Sequence, residues 1–303
     1  MNNTLIVVLG PTGVGKSAIS IHLAQYYSTD IISADSRQLF RELAIGTAVP
    51  PTEDLQSVPH HFIQTRSIHD YYNVSEYETE AIALINQLFL TRNPLVLTGG
   101  SMLYIDTICK GIDDIPTVTP EIRNEVIQWY QENGLEALQQ RLLSLDPEYY
   151  QIADLNNAKR LLHAVEVCQM TGKTFTSFRK NTIRTRPFRI IKIGINQQRE
   201  VLYERINKRV DAMIESGLVE EARSVYPYRD LNSLNTVGYK ELFAYFDGSC
   251  TLEEAVDLIK RNSRKYARKQ LTWFRRDTEI QWFEPEQLEE IITYISSKVN
   301  FHQ

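Results

Sequence analysis

The chain has 303 residues, 33 Lys+Arg against 38 Asp+Glu, and 43% hydrophobic and 10% aromatic content. That is enough material for one large packed domain or two smaller ones, and the balance of charged and apolar residues excludes a disordered or fibrous protein. No apolar run approaches the roughly 18 residues of a membrane span, and the opening MNNTLIVVLGPTG is a short run ending in a glycine loop. Cys109, Cys168 and Cys250 lie far apart with no CxxC pattern, so neither a zinc site nor a disulfide framework is expected. A reduced, cytoplasmic protein without a membrane span or secretory leader is the expectation.

In chain order, Leu5 to Leu9 is a short apolar run closed by Gly10-Pro11, the pattern of a buried parallel strand. A glycine loop follows, then a helical stripe from Lys16 to Tyr27 and a second short strand from Asp30 to Ser33 that ends at Asp35. Ser75-Glu76-Tyr77-Glu78 has the form of a capping box, and Ile82, Ile85, Leu88 and Phe89 continue at helical spacing. Leu95 to Thr98 is another buried strand, closed by Gly99-Gly100, and a helix is predicted over 101–109. Strand, glycine turn and helix in repetition predict a doubly wound α/β core.

Composition changes near Gly111-Ile112-Asp113-Asp114-Ile115-Pro116. From Pro120 to Lys180 the periodicity is helical, in segments such as 121–130, 135–143 and 158–170, with Gly172 as a C-cap. A strand returns at Arg189–Ile195, followed by long helical segments. The expected organisation is a core of residues 1–112 and 188–303 interrupted by an all-helical insertion, 113–187.

Gly10-Pro11-Thr12-Gly13-Val14-Gly15-Lys16-Ser17 matches G-x-x-x-x-G-K-[ST] in full, between a strand and a helix. Backbone N–H groups and the helix N-terminus suit a diphosphate or polyphosphate, Lys16 adds a point charge, and the Ser17 hydroxyl can ligate Mg²⁺. The core is therefore expected to be P-loop NTPase-like. An NTP hydrolase adds a carboxylate at the end of an apolar strand, whereas Leu95–Thr98 ends in Gly-Gly-Ser. Asp35 is the one acid at a core strand end. On its own it can serve as Mg²⁺ ligand, general base or helix N-cap.

The net charge of −5 hides a local exception: Lys260 to Arg276 holds eight basic residues and no acid, leaving 25 basic against 38 acidic residues elsewhere. This run continues a helix from Leu252, with Arg261, Arg264, Lys265 and Arg268 able to share a face and Val256, Ile259, Tyr266 and Phe274 another. Solvated faces mix signs; this one does not, and nucleic-acid phosphate is the expected partner. His60-His61 has no ligand partner at metal-binding spacing and is expected to be structural.

Together these motifs resemble the tRNA dimethylallyltransferases. The resemblance spans nearly the whole chain: GPTGVGKS at 10–17, ISADSRQLF at 32–40, IGTAVP at 45–50, LTGGSMLY at 97–104, NNAKRLLHAVEV at 156–167, SGLVEEAR at 216–223, TVGYKEL at 236–242 and RKYARKQLTWFRR at 264–276. It implies transfer of a dimethylallyl group from its diphosphate to N6 of the adenine at tRNA position 37, on a base turned out of its stack. By the resemblance, Asp35 is the general base, Gly10–Ser17 holds the diphosphate with Mg²⁺ on Ser17, and Thr12, Ser101 and Arg223 complete the catalytic set. It also implies tRNA contacts at Asp35, Ser36, Arg37, Gln38, Ser101, Arg123, Lys159, Arg160, Leu161, Leu162, His163, Lys269, Gln270 and Arg275, with the insertion clamping the anticodon stem-loop. Ser101 stands where the family often has Thr, and His163 where it commonly has a second arginine. With no Cys/His module after the core, the bacterial form is the one resembled, and a monomer is expected. Two readings compete: a small-molecule phosphotransferase such as a nucleotide kinase, and a non-enzymatic RNA-binding protein.

Overall fold

The computed structural model describes residues 3–180 and 183–299, so the outer ends of the expected core segments, and residues 181–182 of the expected insertion, lie outside the described residues. Among these, the elements run β1 (Thr4–Leu9), α1 (Lys16–Tyr26), β2 (Ile31–Ser33), α2 (Thr52–Ser57), β3 (His60–His61), α3 (Val74–Leu88), β4 (Leu95–Gly99) and α4 (Met102–Lys110). They continue with α5 (Pro120–Leu145), α6 (Pro147–Ile152), α7 (Ala158–Thr171), β5 (Arg189–Ile195), α8 (Arg199–Glu215), α9 (Leu218–Val225), α10 (Tyr239–Phe246), α11 (Leu252–Phe274), β6 (Gln281–Phe283) and α12 (Leu288–Lys298).

The six strands form one parallel sheet in the order β3-β2-β4-β1-β5-β6. Its central strand β1 is buried along its length, because side chains alternate between two packed faces. Leu5, Val7 and Leu9 join Tyr77, Ala81 and Ile85 of α3 and Ile105 and Ile108 of α4. Ile6 and Val8 join Ile19 and Leu23 of α1, Leu202 and Ile206 of α8, and Ile291 and Ile295 of α12. Helices on both faces of a parallel sheet are the doubly wound α/β architecture expected. The edge strands β3 and β6, two and three residues long, were too short to give a periodic signal.

A third apolar cluster is helical: Val210, Leu218, Ala222, Leu242, Phe243, Ala255 and Ile259 from α8 to α11 close over Phe40 and Leu43 of the segment after β2. The chain divides into two compact units, Met1–Cys109 with Arg186–Gln303, and Lys110–Thr185. The second unit is helical with its own core, in which Val126, Leu138 and Leu142 meet Leu161, Ala164 and Val165. Its buried Asp146 caps α6 through Tyr149 N and also accepts from Thr176 N, at 2.9 and 2.7 Å.

One local expectation is corrected. The cap of α3 is Asn73, which accepts from Ser75 N and Glu76 N while Glu76 accepts from Asn73 N. The overlapping Ser75–Glu78 pattern is not used, because Glu78 is drawn into a buried pair with Arg186 at 2.5 Å. The segments 121–130 and 135–143 are two helical stretches within α5, broken where Gly134 adopts φ 79°.

Candidate active site

The phosphate loop joins β1 to α1 at the carboxyl edge of the sheet, where ligands collect in open parallel sheets. Gly13 and Gly15 hold φ at 78° and 103°, a region that favours glycine. Gly15 precedes α1 with no side chain capping the helix, so the first N–H groups of α1 are left for an anion. Lys16 reaches back to donate to the Pro11 carbonyl at 2.8 Å. Burial inside the loop, followed by the nearby Arg209 charge, lowers its pKa to about 7 against the partial support of Asp35. Gly13, Gly15, Lys16 and Ser17 line one mouth with Arg205, Lys208 and Arg209. Val14 turns its side chain into the core, so only its backbone can serve a ligand.

On the other side of the loop opens a cavity of about 450 Å³. Thr12, Asp35, Ser36, Arg37 and Ser101 line its polar part, and Ile206, Val210, Met213, Leu218, Val237 and Ile259 its apolar wall. Arg209 lines both the cavity and the loop mouth, with Nη1 3.4 Å from the Thr12 hydroxyl. Burial lowers its pKa and Asp35 opposes that shift, but a guanidinium keeps its charge at any working pH.

Asp35 follows β2. Its Oδ1 accepts from Arg37 N at 2.9 Å and Gln38 N at 3.3 Å, capping a turn rather than a helix. Its Oδ2 has no hydrogen-bond donor among the described residues. Ser101, buried just after β4, fixes the same turn: its Oγ accepts from Ser36 N at 2.8 Å and lies 3.1 Å from Ser36 Oγ.

The turn is held from outside by a chain of hydrogen bonds. Gln38 donates to the carbonyls of Thr47 and Ala48 at 3.2 and 2.9 Å. Glu221 of α9 in turn accepts from Ala44 N, Ile45 N and Gly46 N at 2.8–2.9 Å and from the Tyr239 hydroxyl at 2.6 Å. Gly46 is required there, since a Cβ would lie 2.7 Å from the Tyr239 ring. Arg37 donates to the carbonyls of Asn232 and Ser233 at 3.0 and 2.8 Å, tying down the segment before α10.

Several expected site residues are placed elsewhere. Arg223 is exposed on α9 with its guanidinium 4.2 Å from the Phe246 ring centre, and it does not line the cavity, whereas Arg209 does. Gln270, expected at RNA, is buried: its Oε1 accepts from Thr12 N at 2.9 Å and its Nε2 donates to the Gly100 carbonyl at 2.8 Å. That bond also takes the Thr12 N–H, leaving its hydroxyl for a ligand. The side chains of Arg37 and Gln38 are likewise spent on loop carbonyls.

In the helical unit, Leu161 is fully buried and cannot touch RNA, and Leu162 is half-buried against the same core. Arg123 and His163 each lie 3.7 Å from Glu166. Lys159 and Arg160 are exposed, as are Lys269 and Arg275 in the other unit. Arg209 was missed from sequence, although it falls among Leu202, Ile206 and Met213 on the apolar face of α8, where an arginine must have a reason to be buried.

Among the described residues no group of three or more His, Cys, Asp or Glu could hold a metal, and no helix is long and apolar enough to cross a membrane. A sequence model of the IPP transferase family matches residues 38–277. The tRNA dimethylallyltransferase 1 of Phocaeicola vulgatus is 57% identical over 98% of this chain and 99% of its own length; that of Bacteroides thetaiotaomicron is 58% identical over 96% and 95%. Among solved structures, the tRNA isopentenylpyrophosphate transferase of Bacillus halodurans superposes with TM-score 0.71 at 35% identity, over 97% of this chain and 96% of that one. With a family model spanning most of its length and relatives above half identity from end to end, this chain belongs to the IPP transferase family.

Proposed function

We infer that this chain transfers a dimethylallyl group from dimethylallyl diphosphate to N6 of the adenine at position 37 of tRNA, in the cytoplasm. One observation carries the reading: Asp35, Arg209, Thr12 and an aliphatic wall share one cavity beside the phosphate loop. The aliphatic wall suits a five-carbon tail. The N–H groups opening α1, Lys16, Arg209 and the Thr12 hydroxyl suit the diphosphate. Asp35 stands at the polar end for an amine.

In the step itself the N6 lone pair attacks C1 of the allyl group while the C1–O bond breaks. Diphosphate leaves with the bonding pair, and the N6 proton passes to Asp35 Oδ2. An exocyclic amine is a poor nucleophile, so a positioned carboxylate and a neutralised leaving group are both required. Arg209 and Lys16 take up the charge that develops on the departing oxygens. Ser101 acts through the Asp35–Ser36 turn. The end of β4 carries Gly99-Gly100-Ser101 where a hydrolase would place a water-orienting acid.

Mg²⁺ fits this site in a limited way. The Ser17 hydroxyl at the loop mouth would hold it, and Mg²⁺ commonly completes its shell with phosphate oxygens and water. When bound it would neutralise part of the diphosphate charge. The helical unit, 113–187 from sequence, grips the anticodon stem-loop through Lys159 and Arg160, with Arg123 and His163 beside them; Lys269 and Arg275 meet phosphates from α11.

The test mixes the purified chain, Mg²⁺, dimethylallyl diphosphate and unmodified tRNA and reads digested nucleosides by mass spectrometry. A prenyl mass gain on adenosine that needs the diphosphate is expected. No gain, with ATP consumed in the absence of RNA, would replace this reading with a phosphotransferase.

A further inference from the structure

Tyr266 is the one aromatic side chain lining the cavity among the described residues. Helical spacing on α11 explains its place: Ile259, Asn262, Ser263 and Tyr266 line the cavity in succession, and Gln270, one turn further, is bonded to the phosphate loop. Sequence periodicity groups Tyr266 with the core residues Ile259 and Phe274, which are 2% exposed, yet its own exposure is 37%. Its hydroxyl makes no hydrogen bond to a described residue, so no polar contact inside the fold accounts for it. Burial, with Asp35 nearby, pushes its pKa up to about 12; the ring is neutral and lines the same cavity as Asp35. Immediately beside it on the helix, Lys265, Arg268 and Lys269 are exposed and carry no acidic partner among the described residues.

An exposed neutral ring lining a cavity, with cations beside it on the helix, is an arrangement that binds unstacked bases: the cations take phosphates and the ring takes a base face. The aliphatic wall already suits the prenyl tail, which leaves the ring for the other substrate. We propose that Tyr266 is the stacking platform for the target adenine, holding the turned-out base flat against its ring with N6 directed at Asp35. The proposal rests on the adenine-prenylation reading above. It makes Tyr266 a binding residue for RNA, with no part in diphosphate binding.

Steady-state kinetics with an anticodon stem-loop RNA and dimethylallyl diphosphate test it in Tyr266→Phe, Tyr266→Leu and Tyr266→Ala. Phe should stay within about twofold of the unaltered chain. Leu and Ala should raise KM for RNA about ten- to hundredfold while KM for the diphosphate is unchanged. With 2-aminopurine in place of the target adenine, binding should give quenched emission with Tyr or Phe at 266 and bright emission with Leu. The Leu variant keeps much of the bulk of the ring, so it decides the matter if Ala unfolds. A Leu variant equal to the unaltered chain in both readouts overturns the stacking role while leaving the prenylation reading intact. No transfer by the unaltered chain overturns both.

Discussion

In the proposed reaction Asp35 combines two jobs that usually compete. One carboxylate oxygen is committed to the N–H groups of Arg37 and Gln38, and that commitment fixes where the other oxygen stands. Asparagine can accept the same two hydrogen bonds but cannot take a proton. Asp35→Asn should therefore fold and bind RNA normally while kcat falls about 10²- to 10⁴-fold; turnover near the unaltered rate would remove Asp35 as the base. Lys16 carries a different prediction, because burial and the Arg209 charge lower its pKa to about 7 against the pull of Asp35. A bound diphosphate stabilises the charged form and raises that pKa. Below pH 7 the amine is already protonated, and its contribution to affinity is constant. Above pH 7 binding must take up a proton, so affinity for the diphosphate should weaken as pH rises until the pKa of the complex is reached. Calorimetry at pH 8 in buffers of different ionisation enthalpy should show proton uptake, and its absence would place Lys16 outside the binding equilibrium.

Among the elements, the short segment from Ala44 to Ala48 depends on α9 for its shape. Three consecutive N–H groups and a tyrosine hydroxyl converge on the Glu221 carboxylate, whose charge, with burial as the larger cause, holds the Tyr239 hydroxyl well above its usual range. Glutamine turns one of the acceptors into a donor and leaves at least one of these partly buried N–H groups unpaired. Glu221→Gln should cost about 1–3 kcal/mol in urea unfolding. Tyr239→Phe should cost less in that background than in the unaltered chain, because the two share one network; full additivity would deny the network. This clamp also marks where sequence reasoning stops. Strand β1 and the phosphate loop were legible because a short apolar run and a glycine pattern are local. Nothing local tells Glu221 from its neighbour Glu220, since that choice is made by partners distant in the chain, whereas Arg209 left a local trace in its place on the apolar face of α8. Gln270 shows the same limit: the resemblance implied an RNA contact there, and the packing of α11 against the phosphate loop buries it. The alternative caps Asn73 and Ser75 were settled by Arg186, some hundred residues away.

For the whole molecule, the segregation of charge has a physical use that its net value of −5 conceals. In the basic run of α11, Lys260 is paired with Asp211 at 2.6 Å and Arg264 is bonded to Asn207 at 2.5 Å. Arg261, Lys265, Arg268, Lys269 and Arg275 stay at least partly exposed. In the proposed function the acidic remainder disfavours RNA elsewhere while this strip attracts phosphates, so it would orient the ligand as well as hold it. Each phosphate neutralised releases counterions, and the logarithm of the association constant should then fall linearly with that of salt concentration. Replacing Lys269 and Arg275 together by alanine should flatten that slope by about 0.7–0.9 for each phosphate that is no longer neutralised, with KM for dimethylallyl diphosphate unchanged. Replacing Lys159 and Arg160 should flatten it independently, and the two effects should add because the pairs share no partner. A double variant at Lys269 and Arg275 with an unaltered slope would mark α11 as a solvated face and leave phosphate binding to the helical unit.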